Sequence, residues 1–430
     1  MKSVLTVKKI MQGIGTFTLL SLLASFCNFL FNFALIRLLP TNDFRDLALA
    51  NNMINVFGNL FVALNIVSIA LFYVAKDQQA AIIRACQKAI YILYAVLLAG
   101  CMLLSGQVER RSGLHDALVL DLTLAVVLCS IPVMILNALY LGAYRFRKSA
   151  VLNVCLALGR LLCGVAGALF VAKHKDAAAV GGILVVFVVV FGLFTILEKG
   201  AYRKQNLEIF KKIWSAPVHV LKQYRLLVTT SVAYAITINF LLGLDLFMFG
   251  QFFSNRDSAA YAAVSVIGKL IFFFMAPVAL YLAARQQELL HARPKLALRT
   301  TLAVIGLTLV AAATLLSLPG GLIGMLIHRQ AGQINHWYLV LSISFNACVA
   351  LLNYLLIEGI VSQRQRTVLA VAGGLMLCNG ALFVGFRVFE RLANLTASAG
   401  LALGVPIVTM LLACVVLFAS VHVLRRRTTD

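Results

Sequence analysis

The stretch NFLLGLDLFMFGQFFSNRDSAAYAAVSVIGKLIFFFMAPV, residues 239–278, holds two apolar runs joined by a short polar turn, SNRDS at 254–258. With the residues that flank them, both runs are long enough to cross about 30 Å of hydrocarbon as helices. Each contains one charge, Asp245 in the first and Lys269 in the second. Asp245 lies about ten residues before the turn at Asn255 and Lys269 about thirteen after it, so at about 1.5 Å per residue their depths differ by only about 4–5 Å. An ion pair between them, or two groups facing one cavity, is geometrically available. A charge at mid-bilayer costs about 2.5–3.5 kcal/mol on insertion scales and therefore faces a partner or water.

The rest of the chain follows the same pattern. It has 430 residues, 62% hydrophobic and 12% charged, about half the charged share of a soluble domain. Apolar segments are expected to span at 13–39, 47–75, 85–106, 117–143, 149–172, 178–198, 225–252, 258–284, 297–318, 337–361, 367–386 and 397–424. Lipid leaves backbone groups no water to pair with, so these are helices. The expected fold is an all-α integral membrane protein of twelve transmembrane helices in two six-helix lobes. Residues 1–200 form the first lobe, 201–224 a connector and 225–430 the second lobe. The first apolar segment is too long for a signal-peptide core and reads as an uncleaved span.

The formal charge of +22 is a topology signal. Lys and Arg number 25 in the loops on the N-terminal side and 10 on the other, with Arg160 and Lys269 inside spans. The bias places both termini in the cytoplasm, matches anionic lipid headgroups and argues against nucleic acid as a partner. The nine cysteines form no C-x-x-C or Cys/His cluster, so neither a disulfide framework nor zinc is expected. No cofactor is implied.

Two segments recur between the halves. LPTNDFRDLALA (39–50) parallels FSNRDSAAYAAV (253–264), and LNALYLGAYRFRKSAVL (136–152) parallels LNYLLIEGIVSQRQRTVL (352–369), at offsets of 214 to 217. With six spans each, the two halves enter the membrane with one polarity and are related by an axis along its normal, with a cavity expected between them. Between the halves, 202–225 places Leu207, Phe210, Ile213 and Trp214 on one helical face, as an interfacial helix would; a solvated basic linker is the alternative.

Arg160 lies in span 5, seven residues after Asn153 and on the same face. Its planar fork suits phosphate; an interhelical structural bond is the alternative. In span 2, Asn51, Asn55 and Asn59 recur every four residues and stack on one face. Span 1 has Ser21, Ser25, Asn28 and Asn32 at a matching spacing. These stripes line a hydrated groove or act as interhelical glue. Glu358 and Asp121 lie near span ends and are expected to be solvated. Pro132, Pro277 and Pro406 fall within spans. No P-loop, H-E-x-x-H or G-x-S-x-G is present, so no enzymatic centre is expected.

NFALIRLLPTNDFRDLALA (32–50), LYLGAYRFRKSAVLNVCLALGRLL (139–162) and LDLFMFGQFFSNRDSAAYAAVSVIGKLIFFFMAPV (244–278) resemble the polysaccharide transporter, or O-antigen flippase, family. That family belongs to the multidrug/oligosaccharidyl-lipid/polysaccharide exporter (MOP) superfamily. Arg45 stands where these proteins usually show Gly, and Ala283 or Ala284 where a Pro commonly ends span 8. The resemblance implies flipping of a polyprenyl-diphosphate-linked oligosaccharide by alternating access, in the cytoplasmic membrane of a bacterium or archaeon. It implies polysaccharide-assembly proteins as partners beside the membrane lipids. In that reading Arg160 and Lys269 hold the diphosphate, Asn51, Asn55, Asn59, Asn28, Asn32 and Asn153 line the sugar path, and Asp245 restrains Lys269 or couples an ion. The alternatives are a cation or drug antiporter of the same superfamily, a membrane glycosyltransferase or polymerase, and a scaffold in a polysaccharide-assembly complex.

Overall fold

The computed structural model describes residues 2–39, 63–70, 117–143, 145–171, 173–197, 220–252, 255–292, 294–317, 336–393 and 399–423, with isolated positions between 43 and 100. The chain divides into two compact units, residues 1–228 and 229–430. Ten long helices lie at the positions expected from the apolar pattern. In the first unit they are α1 (Lys2–Leu38), α2 (Ala117–Gly142), α3 (Phe146–Phe170) and α4 (Lys175–Leu197). In the second they are α5 (Arg225–Phe252, whose first turn precedes the unit boundary), α6 (Asn255–Ala292), α7 (Pro294–Leu316), α8 (His336–Val361), α9 (Gln365–Ala393) and α10 (Ala399–Phe418). The expected spans 47–75 and 85–106 lie largely outside the described residues, as does the expected interfacial helix in 202–225.

Nine helices among the described residues are long and apolar enough to cross a membrane. The fold is therefore all-helical and multi-pass, as the composition requires. Two helices depart from α geometry for one turn. α3 becomes a π turn at Arg160–Gly164 and resumes as an α-helix at Val165–Phe170. α10 ends in a π turn at Ala419–Val423. Such turns carry one extra residue per turn and re-aim the side chains that follow; they cluster at functional positions. Pro132, Pro277 and Pro406 are accommodated inside α2, α6 and α10.

The α2–α3 and α8–α9 turns close with the same backbone pattern, one common at helix C-termini. The Arg145 amide bonds the Tyr140 carbonyl at 2.8 Å, and the Arg364 amide bonds the Gly359 carbonyl at 2.9 Å. The next helix then opens with Ser149 to Arg145 at 3.2 Å and with Val368 to Arg364 at 3.1 Å. Arg145 corresponds to Arg364, an offset of 219, and Arg147 to Arg366 by the same shift. Matching the two turns gives a shift two to three residues larger than the offsets of 216 and 217 in the letters.

Within the first unit, α3 is the element the others close on. Ala24 and Cys27 of α1 pack against Val154 and Ala157 of α3. The Phe31 ring lies where a Cβ on Gly164 would stand, so glycine is needed beneath it. α3 and α4 meet backbone to backbone: a Cβ on Gly182 would lie 2.4 Å from the Cys163 carbonyl oxygen. In the second unit α8 is the central helix, buried along nearly its whole length and packed by α6, α7, α9 and α10. Gly268 brings α6 against Ser342 of α8, leaving no room for a methyl group. The described cysteines are free thiols.

The α3–α4 crossing gives a paired test. Gly182→Ala should destabilise the protein by about 1–3 kcal/mol through overpacking. Gly181→Ala, where a Cβ meets nothing within 4 Å, should be neutral or slightly stabilising. Thermal unfolding of the two variants in detergent compares them directly.

Candidate functional site

The pair read from residues 239–278 forms within the second unit. Lys269 Nζ stands 3.8 Å from Asp245 Oδ1, with the carboxylate side chain 0% exposed and the lysine 17% exposed. Both charges come from one hairpin, α5 and α6, because their distances from its turn are similar. Asp245 is held by more than the lysine. Its Oδ2 accepts hydrogen bonds from Ser265 Oγ at 2.7 Å and from the Tyr261 hydroxyl at 3.2 Å. Its Oδ1 accepts from the Leu246 amide at 2.8 Å. Ser265 and Tyr261 are four residues apart on α6, hence on one face.

Aromatic rings cover this carboxylate. Tyr261 stacks on Phe249 with ring centres 3.7 Å apart, and Tyr338 of α8 meets both rings edge-on, at 6.2 and 5.3 Å. At 3.8 Å and an effective dielectric constant near 20, the ion pair contributes about 4 kcal/mol of attraction. That is comparable to the about 3 kcal/mol cost of inserting a lone acid. The two hydroxyls and the amide supply the remainder, so a charged Asp245 is tolerable in an apolar bundle.

In the first unit, the guanidinium of Arg160 meets one residue of the asparagine stripe. Its Nη2 donates to Asn51 Oδ1 at 3.0 Å, and its Cζ lies 5.5 Å from the centre of the Phe31 ring. Its Nε is enclosed and has no hydrogen-bond partner among the described residues. Arg160 opens the π turn of α3. Asn153, expected on the same face, is half-buried and makes no hydrogen bond among the described residues. The amide of Asn32 folds back onto the Asn28 carbonyl of its own helix at 2.9 Å, so it is spent locally. Asn28 Oδ1 is enclosed and unpartnered among the described residues. Asn55 and Asn59 lie outside the described residues.

One expectation is overturned. Glu358 is not solvated: its side chain is 0% exposed. Its Oε1 accepts from Thr301 Oγ1 at 3.0 Å and lies 3.1 Å from His422 Nε2. Depth counted from the helix end placed it at a wet interface, but α7 and α10 close over that end. Asp121, expected to be solvated, is exposed. Sequence reading also missed the polar face of α8. Ser342, Asn346 and Asn353 recur at helical spacing and are all buried, and Asn353 takes a hydrogen bond from the Tyr234 hydroxyl. That spacing of 4 and 7 was the available signal.

The exposure difference within the hairpin pair predicts an order of effects. Lys269→Met strands an enclosed carboxylate and should cost about 3–5 kcal/mol. Asp245→Asn keeps an acceptor for Ser265 and leaves a lysine that is less enclosed than the carboxylate, 17% against 0% exposed, so it should cost less. The double variant should recover part of the Lys269→Met loss. Denaturant or thermal unfolding in detergent, analysed as a double-mutant cycle, reads this.

No protein-family model matches the sequence, and no curated protein is detectably similar to it. Solved structures match along nearly the whole chain. A MATE transporter in complex with the compound MaL6 aligns at a TM-score of 0.72 and 12% identity, covering 98% of this chain and 96% of that one. A Vibrio cholerae MATE transporter aligns at 0.67 and 13% identity, covering 96% and 97%. A MOP superfamily transporter from Pyrococcus furiosus, described as having a binding pocket of reverse polarity, aligns at 0.69 and 11% identity, covering 98% and 96%. The chain therefore has the fold of the MATE transporters of the MOP superfamily.

Proposed function

We propose that this protein is a secondary transporter that exports an amphipathic, cationic solute in exchange for a proton or sodium ion. The observation that carries the reading is the enclosed Asp245, caged by Ser265, Tyr261 and Lys269. Among membrane helices a carboxylate costs stability unless it is used. Here its counter-charge sits on a long side chain that is only partly enclosed. A proton on Asp245, or a sodium ion taking the oxygens of Asp245, Ser265 and Tyr261, displaces Lys269. Two charge states of one cage then favour two arrangements of α5 and α6, and an ion shifts between them by its differential affinity. The likeness to MATE transporters supports this reading over an enzymatic one.

The pair also changes the argument for an anionic substrate. Lys269 is engaged by Asp245, so among the cations singled out from the sequence Arg160 alone remains for a phosphate. One observation favours that second reading, a polyprenyl-diphosphate-linked oligosaccharide as cargo. Arg160 has an enclosed Nε with no partner among the described residues, and a diphosphate would occupy a bidentate fork. In this reading the protein serves surface-polysaccharide biosynthesis, with Asn51 beside the headgroup. Both readings share a multi-pass chain with cytoplasmic termini.

Proteoliposomes separate the two. Wild-type protein should release a cationic dye such as ethidium when a proton or sodium gradient is imposed, and Asp245→Asn should reduce this at least tenfold at equal protein level. Arg160→Gln should leave dye release within about twofold. Flipping of a fluorescent polyprenyl-diphosphate sugar that is lost in Arg160→Gln, with no gradient-driven dye release, would overturn the first reading in favour of the second.

A further inference from the structure

A second enclosed acid lies at the other end of the second unit. Glu358 is three residues from the end of α8, on the side where α5 begins, whereas Asp245 lies toward the end of α5. Three helices converge on Glu358. From α7, Thr301 Oγ1 donates to Oε1 at 3.0 Å; it also lies 3.1 Å from His422 Nε2, 3.2 Å from the Tyr354 hydroxyl and 3.3 Å from its own helix's Ala297 carbonyl. From α10, His422 places Nε2 3.1 Å from the carboxylate, with the imidazole 5% exposed. Its ring centre is 5.0 Å from that of Phe418. His422 reaches inward from the π turn Ala419–Val423 that ends α10, and Val421 of that turn packs on Ala297 of α7.

Hydrogen counting makes this cluster sensitive to one proton. Thr301 has one hydroxyl hydrogen, and the nearest acceptors for it are Glu358 Oε1 and, when unprotonated, His422 Nε2, with the Tyr354 hydroxyl and the Ala297 carbonyl slightly farther. With the imidazole charged, Nε2–H donates toward Glu358, Thr301 donates to the same carboxylate, and the pair carries no net charge. Loss of a proton to water leaves a net negative charge in an enclosed site, which is costly. If it leaves from Nε2, the bare nitrogen and the carboxylate compete for the Thr301 hydrogen. If it leaves from Nδ1, the contact survives but loses its charge assistance. Either way the tie between α10 and the α7–α8 pair weakens.

Among the groups that face the pair are Tyr354 on the helix of Glu358 and Thr301 on α7, with His422 itself coming from α10. The other described charges on the packed elements stand elsewhere. Lys295 and Arg299 on α7 and Arg366 on α9 are exposed, Arg364 in the α8–α9 turn is half-buried, and Lys269 on α6 pairs with Asp245.

We propose that Glu358 and His422 form a proton-operated latch fastening the last turn of the final helix to the second unit. It is a titratable site separate from Asp245, and it stands whether or not the exchange reading holds. At low pH the latch is closed; as pH rises and the imidazolium is lost, the 419–423 turn opens more often.

Hydrogen–deuterium exchange of peptides covering 417–423, in the purified full-length protein in detergent and corrected for intrinsic rates, reads the latch directly. Opening should rise about tenfold with pH in wild type, the difference between a charge-assisted and an ordinary hydrogen bond. Glu358→Gln should make opening independent of pH, and Asp245→Asn should leave the wild-type dependence intact. Should Glu358→Gln fail to fold, His422→Gln poses the same question and should also be flat. Flat exchange in wild type, or a pH dependence that survives loss of Glu358 or of His422, would overturn the proposal.

Discussion

A carboxylate with no exposed surface, inside helices made of Leu, Phe and Met, is the constraint from which the second unit is best understood. Asp245 persists there because Ser265, Tyr261 and the Leu246 amide donate to it and Lys269 stands 3.8 Å away. Each donor imposes geometry on the fold. The hydroxyls must share a face of α6, and the lysine must rise to the same depth from the far side of a turn. Gly268, one residue before that lysine, lets α6 lie close on Ser342 of α8. The aromatic cover of Phe249, Tyr261 and Tyr338 excludes water from the charge, so the cage has either its lysine or a substitute cation.

The first unit answers the same cost differently. Arg160 has an amide and a ring as its described neighbours, and it arises where α3 gives up α geometry for one turn. His422 in the second unit also sits in a π turn. His422, late in its turn, is re-aimed by the extra residue, whereas Arg160 opens its turn and its amide still bonds the Leu156 carbonyl in α fashion.

Much of this was readable in the letters, and the reasons are physical. Span positions followed from apolar length, because hydrocarbon thickness fixes how many residues a helix needs. The Asp245–Lys269 pair followed from counting residues out from one turn, since rise per residue is constant. Glu358 failed by the same method. Depth along a helix says how far a residue is from its end, but not whether neighbouring helices cover that end. The π turns were invisible because a one-residue shift leaves composition unchanged. The i to i−5 backbone bonds at Arg145 and Arg364, which close two hairpin turns alike, are not displayed by letters. The letters left Lys269 either paired with Asp245 or facing a cavity that holds an anionic cargo; the 3.8 Å contact spends that charge locally, and this moves the balance toward a cationic solute.

The most direct measurement is the affinity of purified protein for a cationic dye as proton and sodium concentrations are varied separately. The exchange account predicts that raising one of these ions weakens dye binding in wild type, and that Asp245→Asn binds dye independently of it. Equal affinity at every pH and sodium concentration in wild type would contradict the account.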